Sequence, residues 1–361
     1  MSVLFSIFIG LYSLMIIVFM IGFIHSISKK KSDKKKQTHL SIIIPFHNEL
    51  ENLPKLIASL NKLEYPKNKF EVILVNDCST DGCEDWLEKH DSDFVFKHFI
   101  INLTKKTGKK TAIEKGLILA SNDRIVTTDA DCTFHPNWLN EINNAKGKLA
   151  IGITLKQSNS FGLLHKIQEC ESMMLGGITI GSASIKIPLL ASGANLSYRK
   201  KDFDKIKPYE DNKHIASGDD MFLLESMIKN KKKISVRSNH PVLTQTKESW
   251  TSYIQQTTRW SAKTSNLDIK GLGLVALITI LGNVFWLATL VFWIITEENI
   301  FLTLAVIKFT VDFLFLFLTS LTFKRLILMI YTPIIALFYP FYLLVLSSKV
   351  LTYKENWSSN G

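Results

Sequence analysis

The sequence has little cysteine and none of the glycine-rich motifs that hold common cofactors. Its four cysteines, Cys78, Cys83, Cys132 and Cys170, lack the paired spacing of a zinc site. No Gly-x-Gly-x-x-Gly follows a predicted strand, which argues against a dinucleotide cofactor. Gly108-Lys-Lys-Thr111 imitates the end of a phosphate-binding loop, but Leu103 stands where the first glycine of that motif belongs, so a P-loop nucleotidase is excluded. There is no internal repeat, and low complexity is confined to one lysine run.

Long apolar runs stand at both ends of the chain. Val3–Ile24 is long enough to cross a bilayer and lacks the charged leader and small-residue cleavage site of a removed signal peptide, so residues 1–27 are predicted to be an N-terminal transmembrane anchor. About three further transmembrane helices are predicted over 272–348, at Leu272–Ile295, Ile300–Phe323 and Leu326–Leu346, followed by a tail at 349–361. Pro333 and Pro340 predict a kink in the last of these spans, or only partial insertion.

The lysine run Lys29–Lys36 fixes the expected orientation of the chain. It lies in a basic juxtamembrane linker, residues 28–37, which the positive-inside rule places in the cytoplasm. Residues 38–265 are then expected to form the cytoplasmic domain of a multi-pass protein in the plasma (inner) membrane, with reduced thiols. A nucleic-acid-binding arm is the alternative for this run, but its position beside an apolar span favours membrane lipids as partner and no nucleic acid.

Lys308 and Asp312 lie four residues apart within a predicted span, and therefore on one face of its helix. Ionisable residues inside a membrane can mark a functional site. The alternative, which we favour, is a mutual ion pair inside the helix bundle.

The segment from residue 38 alternates strands with helices. Strands are predicted at Leu40–Ile44, Phe70–Val75, Val95–Leu103 and Ile125–Thr128, with helices at Leu53–Leu60, Glu84–Lys89 and Lys110–Leu119. This order predicts an α/β fold with a mostly parallel sheet, in which ligands bind beyond the carboxyl ends of the strands. Polar clusters stand at three such ends: Pro45–Glu49, Asn76–Asp81 and Asp129–Asp131.

Asp129 and Asp131 stand at the third of these strand ends, and an Asp-x-Asp pair alone is a weak signal. Residues two apart in an extended segment point to the same side, so both carboxylates can share Mg²⁺ or Mn²⁺ with the phosphates of a ligand. A solvated loop after a strand is the alternative. Lysines that suit a diphosphate precede this site at Lys105, Lys106, Lys109 and Lys110, and a solvated loop is the alternative for each of them.

The second half of the domain is less regular. Leu163–Leu175 has helical periodicity, and Ile178–Leu190 suits either the floor of a domain or a surface against lipid. Asp219 and Asp220 open an amphipathic helix, where they either complement the helix dipole or supply a general base. Trp250–Lys263 precedes the membrane and is either an amphipathic interfacial helix or part of the site.

Taken in order, these motifs resemble the family 2 glycosyltransferases, in particular the membrane-bound branch of cellulose, hyaluronan and poly-N-acetylglucosamine synthases. Residues 38–265 carry the resemblance. The matching residues are Pro45, Asn48 and Glu49 of the opening turn, Asp77 of the second-strand motif, Gly108-Lys109, Asp129-Ala-Asp131, Gly218-Asp-Asp220, and Gln256-x-x-Arg259-Trp260.

The resemblance implies a GT-A fold and inverting transfer of a sugar from a nucleotide-diphosphate sugar, usually of uridine. It places Pro45, Asn48, Glu49, Asp77, Gly108, Lys109 and Asp129 at the nucleotide, and the metal on Asp131 with Asp129. It makes Asp220 the base and puts Asp219, Gln256, Arg259 and Trp260 at the acceptor and diphosphate. Glu114 stands where the family often has Asn, and Asp219 where it usually has Glu.

A lipid-linked or saccharide acceptor in cell-envelope glycan synthesis is expected, because four spans are few for a polymer channel. Processive polymer synthesis is the alternative within the enzyme class. Two remoter alternatives are a catalytically inactive nucleotide-sugar-binding regulator and a transport component.

Overall fold

The computed structural model describes residues 2–28, 36–213, 215, 218–264 and 267–353. It contains an α/β unit, built mainly from residues 30–156 and 190–245, and a helical unit built from residues 1–29, 157–189 and 246–354. Most of the lysine run Lys29–Lys36 lies outside the described residues, as do Ser217 and residues 354–361 of the predicted tail.

The described residues form nine strands and twelve α-helices. The strands are β1 Leu40–Phe46, β2 Phe70–Asn76, β3 Lys97–Asn102, β4 Arg124–Thr127, β5 Leu149–Ile151, β6 Thr154–Gln157, β7 Leu196–Arg199, β8 Ile234–Val236 and β9 Val242–Gln245. The helices are α1 Ser2–Ser28, α2 Leu53–Asn61, α3 Cys83–Lys89, α4 Lys109–Leu119, α5 Trp138–Asn144, α6 Leu163–Ser184, α7 Lys200–Ile206, α8 Asp219–Lys229, α9 Trp250–Thr264, α10 Leu272–Thr296, α11 Asn299–Thr322 and α12 Thr332–Leu351.

The α/β unit is built on a seven-stranded sheet with the strand order β3-β2-β1-β4-β7-β5-β8. The first four strands of this order are mutually parallel, as predicted, whereas β7 runs antiparallel to both β4 and β5. Every residue of β1 and β2 is buried, because helices cover both faces of a parallel sheet. The carboxyl ends of β1, β2 and β4 therefore lie side by side at one edge.

Helix α4 lies close against this sheet. A Cβ at Gly116 would come within 2.6 Å of the Ile43 side chain, so only glycine permits this approach. The helix begins directly after Gly108, whose φ of 86° is a conformation that favours glycine. Lys109 is thereby fixed in the first turn of a helix packed on β1.

The helical unit contains, within the described residues, four helices that are long and apolar enough to cross a membrane: Ser2–Ser28, Leu272–Thr296, Asn299–Thr322 and Leu326–Leu351. They match the four predicted spans, and the chain is a membrane protein. The last span opens with a 3₁₀ turn at Leu326–Tyr331 and contains Pro340 within its α-helical part.

Helix α6 also belongs to the helical unit, where it packs against α1 and α11. Its 22 residues include the first part of Ile178–Leu190, the segment predicted to form either a domain floor or a surface against lipid. Small residues allow the close crossing, since a Cβ at Gly181 would stand 2.2 Å from the Phe19 carbonyl oxygen and one at Gly177 would stand 2.5 Å from Thr319. The α/β unit is therefore interrupted in sequence at 157–189, whereas one continuous segment at 38–265 was predicted.

Lys308 and Asp312 form the ion pair that their spacing favoured. The Lys308 ammonium lies 2.7 Å from Asp312 and donates to Asn283 on α10 at 2.8 Å. The Tyr12 hydroxyl on α1 donates to Asp312 at 2.8 Å, and the Trp286 ring faces the ammonium at 4.8 Å. Lys308 is 2% exposed, so these contacts replace water as the solvation of a buried charge.

Replacing Lys308 by Met should therefore destabilise the helical unit by about 3 kcal/mol, because the carboxylate of Asp312 loses its cation in an apolar bundle. The measurement is the Tm of the detergent-purified protein. Combining Lys308→Met with Asp312→Leu should recover most of the loss, since no unpaired charge remains. Equal Tm values for wild type and the Lys308→Met variant would contradict a stabilising pair.

Candidate active site

The loops that follow β1 and β2 are joined by hydrogen bonds. The Asn48 backbone N–H donates to Ser79 Oγ at 2.9 Å, and Asn48 Oδ1 accepts from the Thr80 backbone N–H at 2.8 Å. The Leu50 N–H donates to Asp81 at 2.9 Å. Pro45 lies within the buried strand β1 and Glu49 in the loop beyond it. The first two predicted polar clusters therefore form one surface at the carboxyl edge of the sheet.

Asp77 ties this surface to the start of α4. Its Oδ1 accepts from both the backbone N–H and the hydroxyl of Thr107, at 2.7 and 3.0 Å, and its Oδ2 accepts from the Gly108 N–H at 2.7 Å. The side chain is buried, with the residue 5% exposed. Asp77 thus fixes the loop that presents Lys109, a contact that the sequence did not reveal.

Lys109 joins two of the predicted acids. Its ammonium lies 2.6 Å from Asp129 Oδ1 and 3.4 Å from Asp219 Oδ2. Burial acts to lower the pKa of Lys109, but Asp129, Asp219 and Asp220 outweigh it and raise that pKa above its ordinary value. A Cβ at Gly193 would stand 2.7 Å from Asp219 Oδ2 and 2.8 Å from the Lys109 ammonium, so a larger residue at this position would displace the ends of these two side chains.

Asp220 lies next to this cluster, in the first turn of α8. Its Oδ2 accepts from the Gly193 N–H at 3.0 Å and its Oδ1 from the Met221 N–H at 2.8 Å. Burial and then the neighbouring Asp219 charge raise its pKa to about 6, against the opposing effects of Lys109 and the Gly193 and Met221 N–H groups. A carboxylate with this pKa is ionised at neutral pH and is still able to accept a proton.

Asp129 and Asp131 lie directly after β4 in a segment that is partly exposed. Within the described residues, no group of three or more His, Cys, Asp or Glu side chains is placed to hold a metal ion. Two carboxylates nevertheless fit Mg²⁺ or Mn²⁺, because such ions usually bind one or two carboxylates and take their other ligands from substrate phosphates and water.

Gln256, Arg259 and Trp260 lie on α9, in the helical unit. Their spacing places them on one side of this helix, and Trp260 is 47% exposed. The Tyr253 ring of α9 stacks on Tyr342 with a centroid distance of 5.3 Å.

Helix α6 holds the segment that leads into α9. The buried Gln168 side chain donates to the Lys247 carbonyl and accepts from the Lys247 N–H, both at 2.9 Å. Glu171 accepts from the Tyr253 hydroxyl. Polar residues within an otherwise apolar helical run were the only sequence signal for this contact, and their partners could not be read from it.

Residues 41–206 match the family model described as Glycosyl transferase family 2. A poly-beta-1,6-N-acetyl-D-glucosamine synthase of Staphylococcus epidermidis is 27% identical over 159 residues, covering 43% of this chain and 38% of the synthase. The undecaprenyl-phosphate 4-deoxy-4-formamido-L-arabinose transferase of Proteus mirabilis is 33% identical over 104 residues, covering 28% of this chain and 32% of the transferase. The matches thus span about a third of the length of these relatives.

Among solved structures, the mannosyltransferase PcManGT from Pyrobaculum calidifontis, in complex with GDP-Man and Mn²⁺, superimposes with a TM-score of 0.52. The sequences are 14% identical, and the match covers 99% of each chain. This likeness concerns the fold. Together with the family match it confirms the GT-A fold with accompanying apolar helices that the sequence predicted.

Proposed function

We propose that the chain, whose residues 41–206 match the model of glycosyl transferase family 2, is a metal-dependent, inverting glycosyltransferase. It moves a sugar from a nucleoside-diphosphate sugar to a membrane-associated acceptor. One observation carries the proposal. Lys109 joins Asp129 to Asp219 at the carboxyl edge of the sheet, with Asp220 next to them and raised in pKa.

The leaving group is a nucleoside diphosphate, whose developing negative charge must be neutralised. Asp131 and Asp129 would hold Mg²⁺ or Mn²⁺, which when bound supplies Lewis-acid stabilisation of the diphosphate oxygens. Lys109 adds a positive charge at the same place, because its ammonium is already anchored on Asp129.

Asp220 acts as the general base in this proposal. The acceptor hydroxyl gives its proton to the carboxylate as its oxygen attacks the anomeric carbon, and the bond to the diphosphate breaks on the opposite side. A single displacement of this kind inverts the anomeric centre. The N–H groups of Gly193 and Met221 hold the carboxylate in one orientation.

The nucleotide would lie over the joined loops after β1 and β2, which carry Pro45, Asn48 and Glu49. Asp77 and Gly108 border the same surface through their mutual hydrogen bond. Uridine is the expected base, following the resemblance rather than any contact in the structure.

The acceptor is expected to be lipid-linked or a saccharide, and Gln256, Arg259 and Trp260 are the residues proposed to contact it. Trp can stack on a sugar face, and Arg can donate two parallel hydrogen bonds to one phosphate. Four apolar helices place the enzyme in a membrane, and we assign the catalytic unit to the cytoplasmic side of the inner membrane. Named relatives act on an undecaprenyl phosphate in one case and build a polysaccharide in another, so processive synthesis is the second candidate.

The test uses membranes that contain the protein, a panel of radiolabelled nucleotide sugars, and Mn²⁺ or Mg²⁺. We expect one donor to label the organic extract, as a lipid-linked product requires, whereas label at the chromatographic origin would indicate a polymer. Membranes with the Asp220→Asn variant are the matched control. Absence of both transfer and donor hydrolysis across the panel would favour a nucleotide-sugar-binding regulator and contradict the proposal.

A further inference from the structure

Asp131 accepts a hydrogen bond from a side chain that is distant in sequence. The Thr244 hydroxyl donates to Asp131 Oδ2 at 2.8 Å, and the Cys132 thiol lies 3.5 Å from Oδ1. The other acid, Asp129, receives the Lys109 ammonium on its Oδ1 at 2.6 Å. The hydrogen bond from Thr244 holds the Asp131 carboxylate in one orientation.

The backbone fixes the position of the Thr244 hydroxyl. Thr133 and Leu243 form an antiparallel bridge, with N–H···O distances of 2.9 and 3.0 Å in the two directions. Thr244 follows Leu243 in β9, which pairs with β6 in a two-stranded sheet. Thr244 therefore meets Asp131 because its strand is bonded to the residues that follow Asp131, and not through a chance side-chain rotamer.

A carboxylate has about four lone-pair positions, so it can accept the Thr244 hydroxyl and bind a cation at the same time. The donor also restricts rotation of the side chain, which lowers the entropy lost when a cation binds. Hydrogen bonds of this kind to metal-binding carboxylates affect metal affinity about 10- to 100-fold.

We propose that Thr244 is a positioning residue that orients Asp131 for the divalent cation. The inference rests on the proposed function, in which Asp131 is the principal metal ligand. It adds a residue 113 positions away in sequence, outside every motif that the sequence analysis identified.

The experiment measures Mn²⁺ binding to the detergent-purified full chain by electron paramagnetic resonance of free Mn²⁺, with saturating UDP and, in parallel, GDP. Thr244→Val keeps the shape of the side chain and removes its hydroxyl, and Thr244→Ser keeps the hydroxyl. The matched control is Thr38→Val, which removes a hydroxyl that donates at the same 2.8 Å distance to Asn143, at the opposite end of β1.

We expect the Kd for Mn²⁺ to rise about tenfold in Thr244→Val, and to remain near the wild-type value in Thr244→Ser and Thr38→Val. A Thr244→Val variant that binds Mn²⁺ as wild type does, while Asp131→Asn does not bind it, would overturn the inference and leave the proposed function intact. If Asp131→Asn also binds Mn²⁺ normally, or wild type binds none with either nucleotide, the metal site of the proposed function fails together with the inference. A comparable rise in Thr38→Val would show a general structural effect and would likewise overturn the inference.

Discussion

Replacing Asp220 by Asn should reduce sugar transfer about 10³-fold, because the amide has nearly the shape of the carboxylate but cannot accept the proton of the acceptor hydroxyl. Donor and Mn²⁺ binding should remain near wild type, since the metal is assigned to Asp131 and Asp129. The backbone N–H groups of Gly193 and Met221 both donate to Asp220. In the variant, one of these two groups would face the NH₂ of the new amide. The Tm of the variant must therefore be compared with that of wild type.

The measurement is single-turnover transfer, made beside calorimetric titration with the donor. Glu225→Gln is the matched control, because it converts another carboxylate of helix α8, one that pairs with Lys229, to an amide and leaves the base in place. A near-wild-type transfer rate in Asp220→Asn, with the donor bound, would remove Asp220 from the role of base.

The pH dependence of kcat/KM is an independent test of Asp220 as the general base. Burial and the charge of Asp219 raise the pKa of Asp220 to about 6, and only the ionised form can accept a proton. The value of kcat/KM should therefore rise about tenfold per pH unit below pH 6 and level off above it. Asp219→Asn removes the like charge, so the acidic limb should move to lower pH. A limb that stays in place would show that another group controls it.

The parallel part of the sheet could be predicted because each of its strands is a short run rich in β-branched residues that lies between turn residues. Ile42–Ile44 and Val72–Val75 are apolar on both faces, which is the pattern of a strand covered on both sides. The carboxyl ends of these strands, and hence the position of the candidate site, follow from that pattern. The antiparallel insertion of β7 between β4 and β5 could not be predicted, since the choice of a strand's partner depends on the whole fold.

The residues that complete the site lie far from the motifs in sequence. Gly193 provides room for the Lys109 and Asp219 ion pair and an N–H for Asp220, and Thr244 binds Asp131. Neither stands at a spacing that local periodicity can detect. The surroundings of helix α6 could not be predicted for a related reason. Its apolar and small residues suit a domain floor, a lipid surface or a helix crossing alike. The close contacts at Gly177 and Gly181 show that they form a helix crossing.

The second prediction with a large effect concerns the two acids after β4. Asp131→Asn should reduce transfer about 10³-fold, equivalent to about 4 kcal/mol, because the divalent cation loses its principal charged ligand and the diphosphate its electrostatic stabilisation. The measurement is the initial rate as a function of Mn²⁺ concentration. Asn keeps the size of the side chain and can still accept from Thr244, so the fold around β9 should be retained.

Asp129→Asn is the comparison that separates the two carboxylates. Because the charge of Asp129 is already shared with Lys109 at 2.6 Å, this variant should lose less activity than Asp131→Asn and should recover part of it at high Mn²⁺. The Lys109 ammonium retains Asp219 as a partner in the variant, so a positive charge remains for the diphosphate. If the order is reversed, with Asp129→Asn the more damaging change and Asp131→Asn rescued by Mn²⁺, then Asp129 is the principal metal ligand, and Thr244 orients a carboxylate of lesser importance.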